Sequence, residues 1–169
     1  DQLDRERLSR VLSWPEDSAG GLMSTDTVSV RADVSLGVVQ RYLRMRGELP
    51  EDTDRLFVVD RGDRFLGTIT LARLLTDDPD NLVGASLDKD APRIAPDTPA
   101  REVSQLFRDR DLLSAPVVDE HGVLLGRITV DDVVDVITEE AAHAVMAGAG
   151  LRDEEDVFAP VLLTTRRRI

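Results

Sequence analysis

Two kinds of periodicity alternate along this chain. Short apolar runs, LFVVD at 56–60 and APVVD at 115–119, stand just before turn residues. Each is answered by a second run ending in Gly-x-Ile-Thr, which predicts two β-hairpins. Helical spacing of apolar residues predicts a helix ahead of each hairpin, near Ser35 to Arg46 and Ala100 to Arg110, and a closing helix after each. Asp1 to Leu12 carries Leu3, Leu8, Val11 and Leu12 on a helical period, a short amphipathic helix that Pro15 ends. The next stretch, PEDSAGGLM from Pro15 to Met23, reads as a turn or helix start. Gly20 and Gly21 give it backbone freedom for packing or turning.

The richest stretch is GRITVDDVVDVITEE, from Gly126 to Glu140: a strand end, a capped turn and a helix. Thr129 is a good N-cap, and Asp132, three residues on, can answer it in a variant of the capping box. Asp132, Asp135, Glu139 and His143 then stack on one helical face at about 100° per residue, while Val133, Ile137 and Ala141 line another. Like charges at this spacing cost a helix roughly 0.2–0.5 kcal/mol per pair. Relief can come from a divalent cation, a basic partner helix or solvent. The helix is expected to run on through Ala-rich sequence until Gly148 and Gly150 end it.

The pattern also repeats. VVDRGDRFLGTITLARLL from Val58 aligns with VVDEHGVLLGRITVDDVV from Val117 at an offset of 59, and RADVSLGVV from Arg31 aligns with APDTPAREV from Ala95 at an offset of 64. The first copy therefore carries about five extra residues, placed in GELPEDTD, from Gly47 to Asp54. Each copy reads as a leading strand, a helix, a two-stranded hairpin and a closing helix. This is a βαββα unit used twice, in the α/β class, joined by the polar linker from Thr76 to Pro92. Two such sheets bury their faces on each other and on their helices with pseudo-twofold symmetry, and the seam between them is a natural ligand site.

Composition narrows the function. With 41% hydrophobic and 32% charged residues, the 169-residue chain has the makeup of a soluble globular protein, and its net charge of -12 disfavours nucleic acid and favours cations or basic surfaces. The absence of cysteine removes disulfides, thiolate metal sites and cysteine nucleophiles. The sequence has no signal peptide and no apolar run near the roughly 20 residues needed to cross a bilayer, so a soluble piece is expected. Paired carboxylates could activate water in a metal-dependent hydrolase. No nucleophile with a base stands beside them, and the two histidines are His121, in a hairpin turn, and His143, so an enzyme is not expected. Asp77, Asp78 and Asp80 read as a solvated acidic loop. At the end, Val157, Phe158, Val161, Leu162 and Leu163 precede Arg166, Arg167 and Arg168, either a basic helix end or the arginines that stand before a membrane segment.

Taken together, the two βαββα copies with Gly-x-Ile-Thr elements resemble a pair of cystathionine-β-synthase (CBS) domains. PEDSAGGLM, ITVDDVVDVITEEA and EDVFAPVLLTTRRR, in that order, resemble the cytosolic region of MgtE-type magnesium channels. The resemblance implies the end of a helical N domain at 1–14, CBS repeats at 15–88 and 89–147, and at 148–169 a linker and the start of a connecting plug helix that leads to a transmembrane domain. It implies a homodimer at the cytoplasmic face of the cell membrane, sensing Mg2+ to gate a pore. Asp111, Asp132, Asp135 and Glu140 stand where the family places acidic, magnesium-associated side chains. Pro99 and Arg101, and His143 with Ala144, depart from the acids carried there by relatives. Many CBS pairs also bind ATP or another adenine nucleotide, a Thr and an Asp holding the ribose. Thr129 and Asp132 match that pattern, whereas the first copy has Thr70 but Arg73, so at most one such site is expected. The alternative function is a free-standing adenine-nucleotide-sensing CBS module that regulates a partner protein.

Overall fold

The structure, a computed structural model, describes residues 14–156, except the side chains of 140, 143, 144 and 147–156. The expected helix from Asp1 to Leu12 and the segment from Val157 to Arg168 lie outside the described residues.

Both hairpins form where the apolar runs place them. In the first repeat β1 (Ser29–Arg31) pairs parallel with β2 (Arg55–Val59), which pairs antiparallel with β3 (Phe65–Thr70). In the second, β4 (Ser114–Val118) pairs antiparallel with β5 (Leu124–Thr129), with Ala115 opposite Ile128 as Leu56 is opposite Ile69. Each hairpin carries an irregularity at the same place, Val58/Val59 and Val117/Val118. Asp60 and Asp119 build the turns: Asp60 accepts the N–H groups of Gly62 and Arg64 at 2.7 and 3.0 Å, and Asp119 those of His121 and Val123 at 2.9 and 2.8 Å. His121 is exposed in its turn, as expected.

The leading strand differs between copies. In the second it shrinks to one parallel bridge, Ile94 opposite Val117, the counterpart of Val30 opposite Val58. Pro92 and Pro96 flank Ile94 and have no N–H to extend the ladder, whereas Ser29–Arg31 is free of proline.

Short helices tie the repeats together. Ahead of the first repeat lies α1 (Ala19–Leu22), and its Ala19, with Met23, is buried in the core of the second, among Ile94, Val103, Phe107, Ala115, Val117, Ile128 and Val133. The first-repeat core, with Val30, Leu36, Val39, Leu56, Val58, Ile69 and Leu74, receives Val83 from α4 (Val83–Ser86) in the linker. Counted with the repeat that it leads into, each short helix thus completes the opposite one. The backbone repeats the exchange, Ser24 bridging Arg127 on β5 and Asp88 bridging Thr68 on β3. This close approach explains the Gly of Gly-x-Ile-Thr: a Cβ on Gly126 would lie 2.6 Å from the Ser24 carbonyl oxygen, and one on Gly67 2.3 Å from that of Asp88. Gly20 and Gly21 prove to be packing glycines too, pressed against Trp14 and the Pro15 carbonyl.

The hairpin tips meet at the centre, where Phe65 N–H donates to the Gly122 carbonyl at 2.8 Å and Leu124 N–H to that of Asp63 at 3.1 Å. Phe57, Phe65, Ala91 and Val118 fill the space between them. The remaining helices are α2 (Leu36–Arg46), α3 (Leu71–Thr76), α5 (Ala100–Asp109) and α6 (Val130–Asp156). Gly148 and Gly150 do not end α6, contrary to expectation. A helical glycine costs only about 1 kcal/mol relative to alanine, and the flanking Ala, Leu, Arg and Glu residues favour the helix.

Candidate functional site

The start of α6 keeps one half of the expected capping box: Asp132 accepts from Thr129, but the Thr129 hydroxyl donates to Asp132 and, among the described residues, accepts no helix N–H. Thr129, the last residue of β5, is buried, and both its backbone N–H and its hydroxyl donate to Oδ2 of Asp132, at 3.3 and 2.9 Å. Asp132 reaches back as a capping-box residue does. The hydroxyl dipole bears on two neighbouring carboxylates. Its short contact goes to Asp132, and the same dipole is the main reason that the Asp131 carboxyl is held below the ordinary carboxylate value; burial opposes this, while the N–H groups of Asp131 and Asp132 and the charge of Arg127 add to it.

Beyond the cap, α6 divides as its periodicity demands. Val133 is buried in the second core with Ile137 packed against it, but Ala141, expected on the same face, is exposed; Asp132 is half-buried and Asp135 and Glu139 are exposed. The side chains of Glu140 and His143 lie outside the described residues. Asp111 follows α5 with a left-handed backbone (φ 49°), a conformation that Asp tolerates better than most residues, and is exposed. Among the described residues, no group of three or more His, Asp or Glu side chains could hold one ion together. Asp132 and Asp135 therefore share a helix face without forming a closed cage.

The structure adds acids that sequence reading left in a turn. Glu16 and Asp17, with Leu22, Pro99, Ala100, Arg101, Val136 and Glu139, line a groove of about 470 Å3 between the segment before α1, the start of α5 and α6. No local pattern brings residue 16 to residue 139; the exchange of α1 onto the second repeat does. Arg101 supplies the one cation in this lining. Asp77, Asp78 and Asp80 are local by contrast: Asp77 pairs with Arg73 at 3.5 Å, and Asp78 accepts the Asp80 N–H at 3.0 Å.

Known proteins match this architecture. The CBS domain family model covers residues 19–79 and again 83–139. The chain belongs to the CBS-domain family. As a CBS pair it is 36% identical over 143 residues to the magnesium transporter MgtE of Thermus thermophilus, covering 85% of this chain and 32% of the transporter. With MgtE of Enterococcus faecalis it shares 31% over 160 residues, 95% of this chain and 35% of that one. The CBS pair thus spans about a third of the length of these relatives. A crystal structure of the cytosolic domain of the Mg2+ channel MgtE in complex with ATP matches it with a TM-score of 0.75 at 36% identity, over 80% of this chain and 55% of that one.

Within the CBS pair, the residues expected to hold a ribose are already engaged. Thr129 and Asp132 bond each other; in the first repeat the Thr70 hydroxyl accepts the Arg73 N–H at 3.2 Å and caps α3. One functional group escaped the sequence reading altogether. Arg127, between Gly126 and Ile128 on β5, is only 7% exposed, and its guanidinium donates to the carbonyls of Asp26, Asp52 and Glu51. Its signal was there to read: a charged residue inside a buried strand whose repeat mate is Thr68.

Proposed function

We propose that this CBS pair is the regulatory region of a magnesium channel or transporter, sensing intracellular Mg2+ on its acidic face and gating a pore in a linked transmembrane portion at the cell membrane. The observation that carries this reading is the 36% identity to a magnesium transporter over 85% of the chain. The proposed ligands are Asp111, Asp132, Asp135 and Glu140. Their chemistry suits a hard cation that prefers carboxylate oxygen and keeps several of its waters. Asp111 and Asp135 are exposed and Asp132 is half-buried, a spread that fits a hydrated ion bridging to a second surface better than one enclosed by this chain. In this reading that surface is the connecting helix begun by residues 157–168. Repulsion among the acids spreads the ion-free state, and the ion draws it together.

The same proposal includes a homodimer. Val38, Tyr42 and Met45 form an exposed apolar stripe along α2, 41, 45 and 87% accessible, of the kind a second copy would cover. No catalytic role is assigned. Among the described residues no helix is long and apolar enough to cross a membrane, so the pore belongs to a portion outside them.

Limited proteolysis with and without Mg2+ tests the assignment. Asp132→Ala with Asp135→Ala is expected to keep the fold and to lose most of the Mg2+-dependent protection. Unchanged protection in that double variant would remove the acidic face as the sensor.

A further inference from the structure

Arg127 is charged, buried and satisfied entirely by the other repeat. Nε donates to the Asp26 carbonyl at 3.3 Å, Nη1 to Asp52 at 3.3 Å and Nη2 to Glu51 at 2.6 Å. Side chains two apart on a strand project to the same side, so the guanidinium enters the same seam as Thr129 and its partner Asp132. Two of its three acceptors belong to 47–54, the stretch by which the first repeat exceeds the second. A further tie holds that stretch, the Ser114 hydroxyl donating to Asp54 Oδ1 across the repeats.

The related position in the first repeat is built differently. Thr68 is also buried, 1% exposed, and among the described residues its hydroxyl has no hydrogen-bond partner. The matching connection in the second repeat is only 110–113. The arginine and the long loop therefore occur together, on one side of the pair. On the other side, Arg73 stands where a ribose-binding carboxylate would, paired with Asp77.

We propose that Arg127 is a built-in occupant of the seam beside Thr129 and Asp132, closing it to adenine nucleotides. Its guanidinium takes the carbonyl acceptors that line the seam, and the hydroxyl and carboxylate that could hold a ribose hold each other. This chain then differs from the related MgtE cytosolic domain that was crystallised with ATP. The inference concerns ligand choice alone and stands whether or not the acidic face senses magnesium.

Calorimetric titration of the chain with ATP and with AMP, free of divalent ions, tests it. The wild type is expected to give no saturable binding through the low millimolar range. Arg127→Ala is expected to bind at least about tenfold more tightly than wild type, and adding Asp132→Ala should abolish the gain. If Arg127→Ala does not fold, Arg127→Met keeps much of the buried stem without the guanidinium and is expected to show the same gain. Saturable binding by the wild type that Asp132→Ala removes would overturn the proposal, as would a folded Arg127 variant that gains nothing.

Discussion

Thr129 and Asp132 carry structural and candidate functional roles in the same few atoms, and energetics separates the two. Removing a part-buried hydroxyl that donates to a carboxylate costs about 1.5–3 kcal/mol. Thr129→Val, which keeps the buried volume, is therefore expected to lower stability by about that much in chemical denaturation, with or without magnesium. Asp60 is purely a turn residue. The N–H groups of Arg64 and Gly62 hold its carboxyl below the ordinary value. A depressed carboxyl stabilises above its unfolded-state pKa and ceases to do so as pH falls through the folded-state value. Asp60→Ala is therefore expected to melt earlier than wild type at neutral pH, with the gap narrowing in acid below the carboxylate range. A pH-independent gap would show that the charge is not what the turn uses. Asp60 and Asp119 were legible as repeat mates but not as turn builders, because their hydrogen bonds go to backbone that sequence identity does not specify.

At the scale of elements, local pattern proved a good guide wherever a segment's own periodicity decides its structure. The hairpins, α2, α5 and the division of α6 into an apolar and an acidic face were all readable that way. What the pattern could not supply was the partner of each element. The exchange of α1 and α4 between repeats, the groove that joins Glu16 to Glu139 and the burial of Arg127 all come from contacts between residues far apart in sequence. Gly148 and Gly150 misled for a related reason, since a glycine's modest helical penalty is outweighed by its neighbours. Gly126 is where local motif and distant contact meet. Gly126→Ala puts a methyl group against the Ser24 backbone, which has no flexible side chain to yield. Overpacking of this kind costs about 1–3 kcal/mol, and Gly67→Ala, facing Asp88, is expected to fall in the same range. Equilibrium unfolding of both variants would check this. A cost near zero at Gly126 would mean that the 18–24 segment is not held on β5 in solution.

For the whole molecule, α1 packs in the core of the second repeat and α4 in that of the first, so in the proposed reading an ion at α6 would act beside segments that belong by sequence to the first repeat. The net charge of -12 makes the chain responsive to any cation, and specific binding must be told apart from screening. The most direct measurement is a thermal melt of the chain with Mg2+ raised from zero to tens of millimolar at fixed ionic strength, with calcium and a monovalent salt run in parallel. A site present only in the folded form stabilises by RT ln(1 + [ion]/Kd). The magnesium-sensing account predicts a midpoint that climbs with Mg2+ along that curve and is blunted by Asp132→Ala with Asp135→Ala. A midpoint that moves no more with Mg2+ than with the monovalent salt would contradict it.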